Sequence, residues 1–350
     1  MEFNLDLLVR NNIKAMAPYS SARHEYGGMA SIFLDANENA FGSPLAGNYN
    51  RYPDPLQLKL KEKLSQVKDI QACKIFLGNG SDEAIDLLFR IFCEPGRDNV
   101  IICPPTYGMY EVCAAVNNVR VKNVSLTNEF QLDLKGIAKG VNDFSKIIFI
   151  CSPNNPTGNS INKKDIEAIL EYFNGLIIID EAYINYAEQE SFITKLSEYP
   201  NLVVLQTLSK AWGLAGLRLG MAFANEPVIN YLNKIKYPYN ISTTTQQLTM
   251  EALNNILSVQ NWTKTTIEQR EKLKEELLKL SFTQIVYPSD ANFILVKMTE
   301  AKKIYEFLSA KGIIVRDRSN VLLCENCLRI TIGTPEENKK FIETIKQFIV

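Results

Sequence analysis

Short apolar runs alternate with helical patterns between about residues 74 and 224. The runs cover residues 74–77, 99–103, 146–151, 176–180, 201–207 and 217–224. Between the third and fourth runs, apolar residues recur at helical spacing at Ile166, Ile169, Leu170 and Phe173. Gly175 predicts where that helix ends. Buried strands that alternate with helices are typical of a mainly parallel sheet covered on both faces, so the pattern predicts an α/β fold.

The pattern changes after Pro238 to longer helical stretches. One of them, near residues 262–280, is long enough to bridge two domains. Toward the end of the chain, strand-like pieces and helical patterns alternate at 292–296, 302–311, 313–316, 327–332 and 335–348. This mixture predicts a small α+β domain. We therefore expect an N-terminal arm (residues 1–32), a large domain (33–260) and a small C-terminal domain (261–350).

Charge and composition exclude several classes of function. The 350 residues include 38 Lys and Arg against 39 Asp and Glu, which lacks the basic excess of a general nucleic-acid binder. Acidic residues near the start argue against a signal peptide, and no apolar run reaches the length of a membrane span. We expect a cytoplasmic protein whose partners are neither nucleic acid nor membrane.

Cysteine and histidine usage gives little sign of metal or hydrolase chemistry. The seven cysteines are scattered singly except for Cys324 and Cys327, as is typical of reduced thiols in the cytosol. That pair is either a loop beside a strand or a ligand or redox pair, and a zinc site would need a second pair. The single histidine, His24, has no Ser or Cys motif to serve. We expect no metal and no Ser-His-Asp hydrolase.

The most specific segment surrounds a lysine that follows an apolar run. Residues 207–218 read Thr-Leu-Ser-Lys-Ala-Trp-Gly-Leu-Ala-Gly-Leu-Arg, which predicts a buried Lys210 crowded by hydroxyls and small residues. Burial lowers the pKa of an amine and exposes a nucleophile toward an aldehyde, as a Schiff-base lysine requires. Thr207, Ser209 and Arg218 add donors and charge suited to a phosphate. The alternative is a solvated surface lysine.

Two other strand ends carry polar groups that suit a flat ring. Asp180 ends the run 176–180, so its carboxylate should lie at the edge of the sheet where open α/β folds bind ligands. An anion there keeps a pyridinium ring protonated, which makes the ring an electron sink. Tyr183 and Asn155, the latter in the Pro- and Asn-rich turn 151–158, could donate to the same ring. Taken singly, these positions also fit a helix cap, a metal ligand or a plain turn.

Two loops offer a phosphate site and a stacking surface. Residues 78–83 read Gly-Asn-Gly-Ser-Asp-Glu and lead into a helix, with Ser81 predicted as its N-cap and free amides for one phosphate. Asp82 argues against a polyphosphate, and the pattern of a nucleoside-triphosphate loop is missing. Tyr107 follows a strand and could stack on a flat ring. The alternatives are a simple helix cap and a core aromatic.

Taken together, these residues resemble the fold-type I pyridoxal-phosphate (PLP) enzymes, and the lysine segment resembles the aminotransferase class-II signature. The resemblance covers nearly the whole chain and implies a mainly parallel, seven-stranded sheet. It implies PLP as cofactor, a Schiff base on Lys210, Asp180 at the pyridine nitrogen, and Tyr183 and Asn155 at the ring oxygen. Tyr107 would stack on the ring. The implied phosphate-binding residues are Ser81, Asp82, Thr207, Ser209 and Arg218.

Three further segments are similar to the histidinol-phosphate aminotransferase family. They are residues 34–39 (Leu-Asp-Ala-Asn-Glu-Asn), 50–55 (Asn-Arg-Tyr-Pro-Asp-Pro) and 327–334 (Cys-Leu-Arg-Ile-Thr-Ile-Gly-Thr). The resemblance implies a homodimer in which Tyr52 reaches the cofactor phosphate of the neighbouring subunit. The substrate contacts that it implies are Tyr19, on an arm that closes over the substrate, Asn37, Arg316 and Arg329. The chain departs from the family at residue 40, where alanine replaces the more frequent proline.

The implied reaction is a ping-pong transamination in histidine biosynthesis. It interconverts histidinol phosphate and 2-oxoglutarate with imidazole-acetol phosphate and glutamate. Lys210 would act as general base, and Arg329 would tolerate both a carboxylate and a phosphate. The alternatives within the fold are an aromatic or broad-range aminotransferase and a threonine-phosphate decarboxylase. A non-enzymatic protein that has kept the fold is disfavoured, because the site residues are intact.

Overall fold

The computed structural model describes residues 3–19 and 31–349, and its centre is a seven-stranded sheet. The strands are β1 (Ile75–Asn79), β2 (Asn99–Ile102), β3 (Arg120–Asn123), β4 (Ser145–Cys151), β5 (Leu176–Asp180), β6 (Leu202–Thr207) and β7 (Leu219–Ala224). They lie in the order β1-β7-β6-β5-β4-β2-β3. Only β7 runs antiparallel to its neighbours. The predicted α/β fold with a mainly parallel, seven-stranded sheet is confirmed.

Helices cover this sheet and extend along the rest of the chain. They are α1 (Leu5–Leu8), α2 (Asn11–Ala15), α3 (Leu58–Lys68), α4 (Ser81–Phe92), α5 (Met109–Val116), α6 (Leu134–Gly140), α7 (Lys163–Tyr172), α8 (Glu226–Ile235), α9 (Thr243–Ala252), α10 (Ile256–Leu278), α11 (Ala301–Ala310) and α12 (Pro335–Ile345). No helix in the two described ranges is long and apolar enough to cross a membrane. The His24 prediction lies outside the described residues, as does part of the predicted N-terminal arm.

The central strands are apolar on both faces because each face meets a helical layer. β5 reads Leu-Ile-Ile-Ile-Asp and is buried at every residue. Its alternate residues enter different cores: Ile177 and Ile179 pack with the layer that holds α7, while Leu176 and Ile178 pack with the layer that holds α4. Two-sided burial therefore explains the continuous apolar runs of the sequence.

Two predicted helix ends differ from the structure. Gly80, not Ser81, occupies the N-cap position of α4, with φ of 71°, and Ser81 is the first helical residue. α7 ends at Tyr172, and the extended Phe173 follows it directly, so Gly175 is not the helix stop. A Cβ at Gly175 would overlap the ring of Phe173. Glycine is therefore needed there because the chain packs closely just before β5.

A second, antiparallel sheet of four strands lies in the C-terminal part of the chain. Its strands are β8 (Thr283–Val286), β9 (Phe293–Met298), β10 (Arg316–Asp317) and β11 (Cys327–Thr331), in the order β10-β11-β9-β8. The predicted strand 313–316 is wrong in its extent, since only Arg316 and Asp317 pair. α10 contributes Val259 to the core of the large sheet and Leu273 and Leu277 to that of the small sheet. It is the predicted bridging helix, while the domain boundaries at 33 and 261 stay a prediction.

Candidate active site

A cavity of about 690 Å³ opens at the carboxyl ends of β4, β5 and β6. It brings together 12 of the 15 residues that the sequence predicts for the site. These are Ser81, Asp82, Tyr107, Asn155, Asp180, Tyr183, Thr207, Ser209, Lys210, Arg218, Arg316 and Arg329. They come from both sheets and from loops far apart in sequence. The carboxyl edge of the parallel strands is therefore the candidate active site, as the strand-end pattern predicts.

Asp180, the last residue of β5, supplies a buried acid to this cavity. Its Oδ1 accepts a hydrogen bond from the backbone N–H of Ala182 at 3.1 Å. Its Oδ2 accepts one from the hydroxyl of Tyr110 at 2.7 Å. Burial raises the pKa of Asp180 to about 6, against the effects of these two donors and of the Lys210 ammonium. A cation placed beside Asp180 would therefore favour the charged form of this carboxyl group.

Lys210 lies in the open cavity, and the prediction that it is buried is wrong. Enough protein still surrounds the amine that partial desolvation lowers its pKa, and repulsion from Arg329 and Arg218 adds to the effect. Its Nζ is 5.5 Å from the centroid of the Tyr183 ring. An exposed amine with a lowered pKa is accessible to a substrate-sized aldehyde or ketone.

Backbone amides and a guanidinium line one end of the cavity, where β1 leads into α4. The N–H of Gly80 donates to the carbonyl oxygen of Arg218 at 2.7 Å, which ties the two loops together. Arg218 itself has φ of 53°, and its Nη2 lies 3.6 Å from the Asp82 carboxylate. A Cβ at Gly220 would overlap the backbone nitrogen of Ser81. Only glycine therefore lets β7 approach the start of α4.

Hydroxyl groups on the adjacent loop face the same end. Oγ1 of Thr207 lies 3.0 Å from Oγ of Ser209 and accepts the backbone N–H of Ser209 at 3.1 Å. The hydroxyl of Tyr107 donates to Oδ1 of Asp82 at 3.0 Å, and burial beside Asp82 raises the pKa of that tyrosine. These donors surround a space suited to a small anion.

Three arginines line the opposite side. Arg316 and Arg329 are cross-strand partners on β10 and β11, and Arg318 follows two residues after Arg316. Arg329 donates to the side-chain oxygen of Asn155, and its guanidinium lies 5.2 Å from the centroid of the Phe293 ring. Among residues 3–19 and 31–349, none forms a salt bridge with these three arginines.

Three predicted site residues are not brought into the cavity. Tyr52 stacks on Tyr239 with ring centroids 4.5 Å apart and is 52% exposed. Tyr19, 68% exposed, lines a separate groove of about 400 Å³ beside Tyr239. Asn37 lies on the surface with φ of 54°. A single chain therefore does not place these three side chains near Lys210.

Sequence reasoning missed two functional residues: Tyr110, which holds Asp180 from outside the cavity, and Arg318, which lines the cavity. Tyr110 lies three residues after Tyr107, in the first turn of α5, and the centroids of the two rings are 5.6 Å apart. Arg318 lies two residues after Arg316, a spacing that puts both on one face of an extended chain. Both spacings are visible in the sequence, but neither indicates a role until the fold brings Tyr110 to Asp180 and places Arg318 in one cavity with Arg329.

The residues present fit PLP. The cofactor needs an anion for its pyridinium nitrogen, an amine for its aldehyde, and donors for its phosphate. Asp180 is a buried acid held by two donors, and Lys210, three residues after the end of β6, is an amine in the same cavity. Because residue 220 is glycine, no side chain at that position of β7 lies against the backbone amides at the start of α4. Among the described residues, no cluster of His, Cys, Asp or Glu is arranged to hold a metal.

Comparison with known proteins gives one consistent family. The model of the family "Aminotransferase class I and II" matches residues 33–345. A histidinol-phosphate aminotransferase of Cytophaga hutchinsonii is 51% identical over 348 residues, covering 99% of this chain and 100% of the relative. That of Bacteroides thetaiotaomicron is 53% identical over 345 residues, covering 98% and 99%.

Solved structures show the same architecture. The histidinol-phosphate aminotransferase of Clostridium acetobutylicum superimposes with a TM-score of 0.79 at 26% identity, covering 85% of this chain and 90% of that one. The Sinorhizobium meliloti enzyme, solved in complex with pyridoxal-5'-phosphate, gives a TM-score of 0.79 at 23% identity and covers 89% of both chains. At that identity the second likeness supports the fold alone.

Proposed function

Because the chain belongs to the class I and II aminotransferases, we propose that it is a PLP-dependent histidinol-phosphate aminotransferase. It would interconvert histidinol phosphate and 2-oxoglutarate with imidazole-acetol phosphate and glutamate, a step of histidine biosynthesis. Relatives of that name match nearly the whole chain at about half identity. The observation that carries the proposal is the joint placement around one cavity of Lys210, Asp180 and three arginines that form no salt bridge with any described residue.

The chain's residues divide the work of transamination between the two ends of the cavity. PLP, when bound, supplies an electron sink for the negative charge that develops at the substrate Cα. Asp180 would hold the ring nitrogen, and its buried carboxylate would favour the protonated ring. Tyr183 and Asn155 would donate to the ring oxygen, while Tyr107 would cover the ring face. These contacts fix the plane in which a substrate bond can break.

Lys210 would act as the general base that accepts and then returns the mobile proton. Its lowered pKa gives a larger neutral fraction of the amine at neutral pH, and only the neutral form can accept a proton from the substrate Cα. Ser81, Thr207, Ser209 and Arg218 would hold the phosphate of the cofactor at the other end of the cavity. Asp82 does not contact the anion in this proposal; it positions Arg218 and Tyr107, which it already contacts.

We also propose a cytoplasmic homodimer. All seven cysteines are free thiols, six of them buried, as expected in a reducing compartment. Leu34 and Phe41 expose 87% and 102% of their surface close in sequence to Tyr52. Apolar exposure of this size is typical of a surface that another chain covers. In the dimer, Tyr52 would donate to the cofactor phosphate of the neighbouring subunit, and Tyr19 and Asn37 would reach substrate when the arm closes.

Half-reactions test the proposed activity. The purified protein, loaded with PLP, should lose its visible absorbance on addition of glutamate and regain it with imidazole-acetol phosphate. Histidinol phosphate should replace glutamate as donor. K210A should bind no cofactor covalently and show no turnover, and retained turnover in K210A contradicts the assignment.

The same assay separates the two alternatives within the fold. Release of carbon dioxide from threonine phosphate, with no response to histidinol phosphate, would identify a decarboxylase instead. Equal rates with aromatic amino acids and with histidinol phosphate would identify a broad-range aminotransferase. Neither result is expected, because relatives that are about half identical to this chain carry the name histidinol-phosphate aminotransferase.

A further inference from the structure

Arg318 is a charge in the cavity that no described residue compensates. Its guanidinium carries five N–H donors, yet no described residue accepts a hydrogen bond from it or forms a salt bridge with it. Its Nε is buried without a partner. A half-buried cation that forms no bond to protein acceptors loses hydration without compensation. Such a group is expected where a ligand, rather than the protein, supplies the acceptor.

The pleat of the strand explains why two arginines face the cavity together. Residues 316–318 read Arg-Asp-Arg, and successive side chains of an extended chain point to opposite faces. The N–H of Arg318 donates to the carbonyl oxygen of Cys327 at 2.9 Å, which continues the β10 ladder by one residue. The carboxylate of Asp317 instead accepts the N–H of Ser319 at 2.8 Å. The only acid of this segment is thus bonded locally and does not neutralise its neighbours.

The three guanidiniums form a cluster with an excess of positive charge. Arg316 lies across the strand pair from Arg329, and the two repel Arg318 strongly enough to lower its pKa, in addition to the larger effect of desolvation. Holding three like charges together costs free energy unless a ligand with more than one negative charge joins them. Of the two anionic groups in the proposed reaction, a carboxylate carries one charge and a phosphate monoester nearly two.

We propose that Arg318 is a specificity-determining residue that binds the substrate phosphate and contributes little to binding of a carboxylate substrate. The inference rests on the proposed function and extends it. A planar carboxylate is satisfied by one guanidinium fork, which Arg329 offers. A phosphate has three terminal oxygens, so Arg316, Arg329 and Arg318 can each bind one. The same cavity thereby accepts both substrates of a ping-pong reaction, and the third arginine acts on only one of them.

The test compares R318Q with the unmodified holoenzyme in separate half-reactions. With histidinol phosphate, kcat/KM should fall about 10- to 100-fold, mostly through KM, as expected for loss of a charge-assisted contact. With glutamate it should change by less than about threefold, since loss of one remote charge costs well under the energy of a direct contact. R318K should recover part of the loss. R120Q, which removes an exposed arginine of β3, is the matched control and should change neither substrate.

A pH profile distinguishes phosphate binding from a merely structural role. The second ionisation of a phosphate monoester lies near pH 6, so in the unmodified enzyme KM for histidinol phosphate should decrease as pH rises through about 6. R318Q should show a weaker dependence. Equal losses with glutamate and histidinol phosphate, or an unchanged KM for histidinol phosphate, would overturn the proposal.

An inhibitor pair keeps the inference separate from the proposed function. Propyl phosphate and butyrate should each compete with glutamate, and R318Q should weaken inhibition by propyl phosphate about tenfold while leaving butyrate nearly unchanged. If the unmodified enzyme does not react with histidinol phosphate, the proposed function is wrong. The comparison of the two inhibitors still decides the role of Arg318 in that case. Equal weakening of both inhibitors contradicts a phosphate-selective role.

Discussion

The hydroxyl of Tyr110 donates a 2.7 Å hydrogen bond to Oδ2 of Asp180 in a fully buried setting. The tyrosine ring also stacks on Phe149, with centroids 4.7 Å apart, so its position is fixed by the core of the sheet. The acid that faces the proposed cofactor is therefore held by a residue that never reaches the cavity. We regard Tyr110 as the group that positions Asp180 and favours its charged form.

Removal of that hydroxyl should weaken cofactor binding without disrupting the core. In Y110F, the Asp180 carboxylate loses one of its two donors, so its negative charge is less stable. We expect the affinity for PLP to fall about tenfold, equivalent to about 1.4 kcal/mol, in an absorbance titration. Y186F, the same change at another buried tyrosine, serves as control and should bind PLP normally. Equal affinities of Y110F and the unmodified protein would contradict the positioning role.

The raised pKa of Asp180 predicts a pH-dependent stability of the cofactor-free protein. The carboxyl binds its proton more tightly in the folded protein, where its pKa is about 6, than in the unfolded chain, where its pKa is near the ordinary 3.8. Its favourable contribution is therefore complete below about pH 4 and lost as pH rises to about 6. The difference corresponds to about 3 kcal/mol at neutral pH.

D180N isolates this contribution, because the neighbouring Glu181, whose pKa burial also raises to about 6, is present in both proteins. Free energies of unfolding should be measured by urea titration between pH 4 and pH 8. D180N should gain stability relative to the unmodified protein across the window from about 4 to about 6. A constant difference over that range would show that Asp180 does not titrate there.

The contact between β7 and the start of α4 predicts a strong effect of one methyl group. G220A places a Cβ against the backbone of Gly80 and Ser81, which cannot move aside as a flexible side chain would. We expect a loss of about 2–3 kcal/mol in unfolding free energy and a weaker affinity for PLP. Calorimetry and an absorbance titration measure the two effects. G216A, where a Cβ meets open space, should stay within about 0.5 kcal/mol and reveals any general intolerance of the segment.

Mixed dimers test the proposed reach of Tyr52. K210A is inactive in its own site, and Y52F should lower activity in the site of the neighbouring subunit. In a K210A/Y52F heterodimer, one site combines an intact Lys210 with an intact Tyr52, whereas the other site lacks both. Co-purified heterodimers should therefore have about half the activity of the unmodified dimer, an estimate from counting sites. Activity no higher than that of Y52F homodimers would place Tyr52 outside the neighbouring site.

Apolar patterning predicts much of the fold, and the strands that it fails to predict lack the pattern for physical reasons. β5 and β6 are predicted because burial on both faces leaves few polar residues in them. β3 is missed because an edge strand reads Arg-Val-Lys-Asn, with its polar groups exposed. β8 is missed for the same reason, since Gln284 and Ile285 both face solvent. Edge strands are specified by their neighbours more than by their own composition.

Site residues at the ends of buried strands were also predictable, whereas others were not. Lys210, Asp180 and Asn155 are recognised because each ends or follows a buried strand, and the sheet brings them together. The exposure of Lys210 could not be predicted, because the same small residues that crowd it in sequence leave the cavity open in space. Tyr110 was missed because its role depends on a hydrogen bond to Asp180, 70 positions away, and Arg318 because the fold alone places it in one cavity with Arg329. Long-range contacts of this kind carry no local pattern.

The position of β1 at the edge of the sheet has a consequence for biosynthesis of the chain. Among the described residues, β1 pairs only with β7, which is synthesised some 140 residues later. On the ribosome, the turn at Gly80 therefore emerges long before the strand that completes it. In the nascent chain, β2 to β6 can pair before β7 is synthesised, whereas β1 remains unpaired until then. The cofactor site can therefore be completed only late in translation.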